Sequence, residues 1–182
     1  MMKSMPQSLP KGDGLNLDDL EDVGVELLED EASLDYLCNL SPHRYEALYA
    51  KVLPESKLAP AKHPIYENFH VKAFKALLTS ATSDEQLTAL GELLYQCHFS
   101  YCGCGLGSDG TDRLVQLVQE IQHGKLSKFK ERTIYGAKIT GGGSSGTVCV
   151  VGRNSLRSSE QILEIQQRYK KATGYLPFLF EG

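Results

Sequence analysis

Residues 141–146 consist only of glycine and serine, a combination that suits anion binding. They stand between two apolar, β-branched runs, residues 133–139 and 147–152. Glycines let a ligand approach backbone N–H groups closely, and serines add hydroxyls. Because a turn needs one or two glycines and each extra one costs chain entropy, the excess favours a phosphate-binding loop. A mobile hairpin turn is the alternative interpretation.

The spacing of Gly141, Gly143 and Gly146 also satisfies G-x-G-x-x-G, the fingerprint of dinucleotide-binding loops. That fingerprint requires a helix after the loop, whereas the sequence predicts a strand there. With Val148 the loop fits the protein-kinase pattern G-x-G-x-x-G-x-V, but the V-A-I-K, H-R-D and D-F-G motifs are absent from the sequence. The Walker lysine is absent too. The sequence therefore favours none of these three classes.

Cys97, His98, Cys102 and Cys104 form a compact group of candidate metal ligands. Adjacent ligands on a helix point about 100° apart, and no C-x-x-C knuckle occurs, so we predict thiols without a metal. The total of five cysteines does not resemble a secreted disulfide framework and favours reduced thiols.

Asp109 and Asp112 follow a glycine-rich turn and are candidates for Mg²⁺ binding or proton transfer. Carboxylates at a helix N-terminus are stabilised by about 0.3–1 kcal/mol, so we favour a role at a helix start. No nucleophile and orienting acid accompany the other histidines, which argues against a hydrolase triad.

Apolar residues at three- and four-residue spacing predict short helices over residues 17–52. Prolines then predict a linker over residues 53–62. A helical hairpin is expected next, with one helix over residues 67–81 and a second that begins with a capping box at Ser83 and Gln86 and runs to about His98.

The clearest predicted helix starts near Thr111, and residues 123–133 are expected to form a surface loop. The runs flanking the glycine loop predict a β-hairpin. A last helix ends at Gly174, and residues 175–180 predict an edge strand. Together these elements predict an α+β fold with an antiparallel sheet and helices packed on one face.

The composition, 41% apolar and 23% charged over 182 residues, predicts a folded domain. The net charge is −4, there is no Trp, and no basic stripe interleaves with aromatic residues, which argues against nucleic-acid binding. No signal core and no apolar stretch of about 20 residues occurs, so we expect a cytoplasmic protein without membrane association. Residues 1–16 predict a disordered leader, and residues 63–182 the main domain.

The stretch YGAKITGGGSSGTVCVVG resembles the third conserved motif of the GHMP kinases. LGELLYQCHFSYCGCGLGSDGTDRLVQLVQ is similar to the helical segment before that motif in galactokinases. SLDYLCNLSPHRYEALYAKVLPE, HPIYENFHVKAFKALLTSATSDEQL and SLRSSEQILEIQQRYKKATGYLPFLFEG resemble the carboxyl-terminal part of the plant arabinokinase branch.

The resemblance implies a ferredoxin-like carboxyl-terminal domain of a sugar-1-kinase that uses ATP and Mg²⁺ to phosphorylate a monosaccharide such as L-arabinose. It assigns a phosphate-binding role to one run of residues: Thr140, Gly141, Gly142, Gly143, Ser144, Ser145 and Gly146.

Three departures from the family pattern shape the functional expectation. The P-x-G-x-G-L-S-S-S motif is absent, the catalytic Asp has no assigned counterpart, and Ser145 occupies a usual glycine position. The chain is therefore expected to be inactive alone. The alternatives are a non-catalytic module that binds sugar, nucleotide or a full-length kinase partner, and a truncated gene product.

Overall fold

A computed structural model of the chain describes residues 37–79, 82–126, 132–143 and 146–180. The predictions for residues 1–36, including the leader, lie outside the described residues. A short 3-10 turn, Leu37–Asn39, precedes the helices and strands of the described part. These are α1 (Pro42–Leu48), α2 (Glu55–Leu78), α3 (Asp84–Gly103), α4 (Asp109–Leu126), β1 (Ile134–Ile139), β2 (Val148–Gly152) and α5 (Leu156–Thr173). Within the described ranges, none of the helices combines the length and apolarity that a membrane crossing requires.

The chain divides into two compact units between Ile65 and Tyr66. In the first unit, the side chain of Ser41 caps α1 by accepting the Arg44 N–H at 3.3 Å. The buried Tyr45 then donates its hydroxyl to the Leu58 carbonyl of α2 at 3.2 Å. These contacts fix α1 against the first turns of α2.

The predicted linker over residues 53–62 is wrong as local structure, because α2 begins at Glu55 and runs through Pro60 and Pro64. A proline inside a helix removes a hydrogen bond and costs about 3 kcal/mol. The same helix buries Ala61 and Ile65, and this burial favours the helix against that cost. The domain boundaries themselves stay a prediction.

The predicted capping box at the start of α3 is confirmed. The Ser83 hydroxyl accepts the Gln86 N–H at 3.2 Å, and the Gln86 side chain accepts the Ser83 N–H at 3.1 Å. Gln86 also donates to the Leu77 carbonyl, while Cys97 donates to Glu67 at 2.6 Å near the other end of the helix. The second half of α2 and α3 therefore run antiparallel, and α3 continues past the predicted end at His98 to Gly103.

Helix α4 presents an apolar face to α5 and the hairpin, as its spacing predicts. At its start, Ser108 accepts the Thr111 N–H at 3.3 Å, and Thr111 accepts the Ser108 N–H at 3.1 Å. The surface loop predicted from residue 123 is wrong for 123–126, because α4 continues to Leu126. The buried core cluster consists of Tyr95, Val115, Leu117, Val118, Ile121, Ile134, Ala137 and Ile165.

Strands β1 and β2 form the predicted antiparallel hairpin, in which Ile139 pairs with Val148 and Ala137 with Val150. The predicted α+β class is thereby confirmed. The edge strand expected over residues 175–180 is wrong, since this segment forms no strand. Its Phe178 is 78% exposed, and Pro177 lacks the N–H that a ladder needs, so apolar composition alone gives it no place in the sheet.

The first residue of α3 joins a polar network with the hairpin. Asp84 accepts the Tyr135 hydroxyl at 3.0 Å and pairs with the Arg153 guanidinium, which also donates to the Tyr135 oxygen at 2.7 Å. Hydrogen bonds from Arg153 and then Tyr135 lower the pKa of the Asp84 carboxyl. This carboxylate therefore stabilises the fold above its unfolded pKa of about 3.9, and the contribution is lost as the pH falls through the lower folded pKa.

We accordingly expect the thermal unfolding temperature to decrease as the pH is lowered from about 5 to about 2. In an Asp84→Asn variant this decrease should be smaller. Circular dichroism melts at closely spaced pH values measure both curves. Parallel curves for the two proteins would show that Asp84 contributes nothing to the acid sensitivity.

Candidate functional site

The glycine loop joins β1 to β2, and its base is closed by the Thr140 N–H, which donates to the Thr147 carbonyl at 3.1 Å. A strand, not a helix, follows the loop, as predicted. Ser144 and Ser145 lie outside the described residues. The strand–loop–strand context leaves the dinucleotide fingerprint without the helix N-terminus that it requires.

Two requirements of the chain itself explain the glycine at position 143. Its φ is +87°, a left-handed conformation that side chains disfavour. A Cβ atom there would lie 2.6 Å from the Leu106 carbonyl oxygen and 2.7 Å from the Leu106 Cβ. Gly143 is therefore explained by packing against the chain's own backbone, without any ligand.

Gly142 differs from Gly143 in both respects. It is exposed, its φ lies outside the left-handed region, and a Cβ atom there would meet nothing within 4 Å. Gly141 and Gly146 are also exposed, with φ of +67° and +78°. Only at Gly142, among the described glycines of the loop, does the chain's own geometry leave the glycine unexplained.

Leu106 reaches Gly143 because α3 ends in a Schellman motif. The Leu106 N–H donates to the Tyr101 carbonyl at 3.0 Å, and the Gly105 N–H donates to the Cys102 carbonyl at 2.9 Å. Gly105 adopts the left-handed conformation with φ of +71°. This turn directs the connection between α3 and α4 against the glycine loop.

Tyr101 holds the other side of the loop. Its hydroxyl donates to the Gly141 carbonyl at 3.1 Å, and the Lys138 ammonium lies 5.6 Å from the centre of its ring. Burial opposes the charge of Lys138, but its contact with Cys97 and the charge of Glu67 outweigh burial and raise the pKa of Lys138. A cationic Lys138 thus stands at the end of β1, close to the loop.

Removing the Tyr101 hydroxyl in a Tyr101→Phe variant is expected to loosen the loop. A hydrogen bond of this kind contributes about 1 kcal/mol, so amide exchange at residues 141–143 should accelerate about fivefold. Hydrogen exchange followed by NMR measures this rate. Tyr175→Phe is the control, because Tyr175 is 77% exposed. Equal exchange in both variants would contradict the role of Tyr101.

Two of the cysteines considered above as candidate metal ligands have raised pKa values. Burial, followed by the hydrogen bond to Glu67, raises the pKa of Cys97 to about 11. Burial, followed by the hydrogen bond to Asp112, raises the pKa of Cys102 to about 11. Thiols with such pKa values stay protonated near neutral pH, so they are poor nucleophiles.

The structure confirms the predicted position of the two candidate aspartates at a helix start. Both lie in the first turn of α4, where Ser108 and Thr111 form the cap. Asp112 also turns to the end of α3, where it accepts the Cys102 thiol at 3.3 Å. The residues near the loop that the sequence analysis missed are Tyr101, Leu106 and Lys138. Gly105 followed by the apolar Leu106 is a typical helix C-cap pattern, so the contact of this turn could have been sought from the sequence.

Comparison with known proteins gives this geometry a context. The chain is 64% identical to an L-arabinokinase of Arabidopsis thaliana over an alignment of 214 residues that includes the whole chain. It is 27% identical to a galactokinase of Clostridium tetani (strain Massachusetts / E88) over 154 residues, 84% of the chain. The chain is a homologue of the carboxyl-terminal part of GHMP-family sugar kinases. None of the protein-family models searched matches it.

A solved structure supports the fold of this GHMP kinase homologue. The crystal structure of Lactococcus lactis galactokinase complexed with galactose matches 92% of the chain with a TM-score of 0.62, at 22% identity. The homologue spans 20% of the L-arabinokinase, 36% of the C. tetani galactokinase and 41% of the crystallised galactokinase. The predicted family and its fold are therefore confirmed for a part of these enzymes.

Proposed function

We propose that this chain forms one wall of the nucleotide cleft of a sugar-1-kinase, which transfers the γ-phosphoryl group of ATP to the anomeric hydroxyl of L-arabinose. The identity of 64% to an L-arabinokinase supports the choice of reaction and sugar. The observation that carries the loop's role is the exposed Gly142. The space around Gly142 would admit a side chain, so packing within the chain does not explain the glycine. A ligand that approaches the backbone closely would explain why this position has no side chain.

The proposed phosphate-binding residues are those of the loop: Thr140, Gly141, Gly142, Gly143, Ser144, Ser145 and Gly146. In this proposal the exposed backbone around Gly142 presents N–H groups to the phosphates. Gly143 fixes the position of the loop by packing against Leu106, and the Tyr101 hydroxyl holds the loop at the Gly141 carbonyl. Mg²⁺ enters with the nucleotide, and we assign it no ligand from this chain.

The chain alone is proposed to bind nucleotide without transferring phosphoryl groups. Transfer requires two substrates held in line and the charge of the moving group neutralised. The glycine loop contributes to one side of that arrangement. The alternative consistent with the same fold is a non-catalytic module that binds sugar or nucleotide or that pairs with a full-length kinase.

A coupled ADP-release assay with MgATP and either L-arabinose or D-galactose tests this proposal. We expect no ADP release above the blank, while equilibrium dialysis of the same protein with labelled ATP shows saturable binding. Turnover with either sugar would contradict inactivity of the isolated chain. Absence of both turnover and saturable binding would contradict the nucleotide-binding role.

A further inference from the structure

Three side chains of different chemical type meet where α3 ends and α4 begins. His98 and Cys102 lie one helical turn apart on α3, and Asp112 comes from the first turn of α4. The Cys102 sulfur lies 3.7 Å from the His98 Nε2 and 3.3 Å from the Asp112 Oδ1. The His98 Nε2 lies 3.6 Å from the same carboxylate oxygen.

These separations are close to the edges of a tetrahedron around one metal ion. Zinc binds sulfur at about 2.3 Å and nitrogen or oxygen at about 2.0–2.2 Å, which places two ligand atoms about 3.3–3.6 Å apart. The distance between the His98 Nε2 and Asp112 is too long for a good hydrogen bond. One ion between the three atoms is compatible with all three distances, of which the sulfur–nitrogen distance of 3.7 Å is slightly longer than this range.

We propose that His98, Cys102 and Asp112 form a site for a transition-metal ion of the Zn²⁺ type. Sulfur and imidazole ligands favour zinc or cobalt over Mg²⁺, which prefers oxygen ligands, so the site differs from the metal that accompanies ATP. His98 is 3% exposed and anchors the site from inside, whereas the Asp112 side chain is 48% exposed and gives access from solvent. Three protein ligands leave a fourth position for water.

The surroundings keep room for such an ion. A Cβ atom at Gly107 would lie 2.9 Å from the Cys102 sulfur and 3.1 Å from the Asp112 Oδ1, so a glycine leaves the space beside both atoms open. The buried Nδ1 of His98 has no hydrogen-bond partner among the described residues, so the polar contacts of this ring are made at Nε2. The sequence analysis weighed the cysteines with His98, and Asp112 with Asp109, as two separate groups, so it did not consider His98, Cys102 and Asp112 together.

Binding would replace the thiol proton. The S–H bond of Cys102 breaks, a sulfur–metal bond forms, and the proton passes to solvent. Because the thiol must lose its proton before the sulfur binds the ion, metal affinity should increase with pH.

Titration of the chain with Co²⁺ tests the site through the near-ultraviolet charge-transfer band of a cobalt–thiolate bond. We expect the band to saturate at one equivalent, to strengthen with rising pH and to disappear when Zn²⁺ is added. Cys102→Ser should abolish the band, whereas Cys104→Ser, a neighbouring thiol outside the trio, should retain it. Asp112→Asn should weaken Co²⁺ binding about tenfold or more.

Circular dichroism of each variant shows whether it is folded, and the partly exposed Asp112→Asn provides a test even where Cys102→Ser does not fold. Absence of the charge-transfer band in the folded wild-type chain would overturn the proposal. So would a band that survives in Cys102→Ser or an affinity unchanged in Asp112→Asn. None of these results depends on ATP binding.

Discussion

Replacing Gly91 with alanine is expected to destabilise the chain by about 3 kcal/mol or more. A Cβ atom at Gly91 would lie 2.0 Å from the Tyr135 carbonyl oxygen and 2.5 Å from its carbon. These are backbone atoms of β1, which no change of rotamer can move. Helix α3 would have to withdraw from the strand, which opens the core around Tyr95.

Urea unfolding followed by circular dichroism measures this loss. Gly124→Ala is the matched control, because Gly124 also lies in a helix and a Cβ atom there would meet nothing within 4 Å. It should stabilise the chain by about 0.5–1 kcal/mol through helix propensity. A Gly91→Ala protein as stable as the wild type would show that α3 and β1 are not in backbone contact.

The two neighbouring glycines of the loop should respond differently to alanine. Gly142→Ala is expected to leave stability nearly unchanged and to weaken ATP binding about tenfold, or about 1.4 kcal/mol, because a methyl group would stand where phosphate approaches the backbone. Gly143→Ala should weaken ATP binding and also reduce stability by about 1–2 kcal/mol or more. Its φ of +87° and its contact with Leu106 both resist a side chain.

Equilibrium dialysis with labelled ATP and thermal unfolding of both variants give the four required values. ATP binding unchanged in a folded Gly142→Ala protein would favour the simple hairpin turn over the phosphate-binding loop. A stable Gly143→Ala protein would contradict the packing of the loop against Leu106.

Sequence reasoning succeeded where the determinants are local. The capping box needs only Ser83 and Gln86, and the hairpin needs two β-branched runs around a glycine-rich turn. The end of α5 likewise follows from Gly174, whose φ is +82°. Each of these features is encoded within a few residues, so a single sequence suffices to predict it.

Predictions failed where tertiary packing overrides a local preference. Pro60 and Pro64 oppose a helix locally, yet α2 includes both and buries Ala61 and Ile65. Residues 175–180 have the apolar composition of a strand, yet within the described residues the sheet consists of β1 and β2 alone. Neither outcome can be read from residues that are neighbours in sequence.

The candidate site was predictable in part for the same reason. The glycine loop is contiguous in sequence, so its composition alone was enough to predict it. The contact of Gly143 with Leu106 joins segments far apart in the chain, and it removes Gly143 from the glycines that a ligand must explain. Asp112 was considered for Mg²⁺ together with Asp109, but it was not grouped with His98 and Cys102, because it reaches Cys102 from a different helix.

The most direct test of the phosphate-binding loop is a titration of isotope-labelled protein with MgATP, followed through the backbone amides of Gly141, Gly142 and Gly146. The account predicts saturable shifts at these three amides and none at Gly124, a helical glycine elsewhere in the fold. It predicts smaller shifts with adenosine, which carries no phosphate. Loop amides that do not move at millimolar ATP, or that move equally with adenosine, would contradict it.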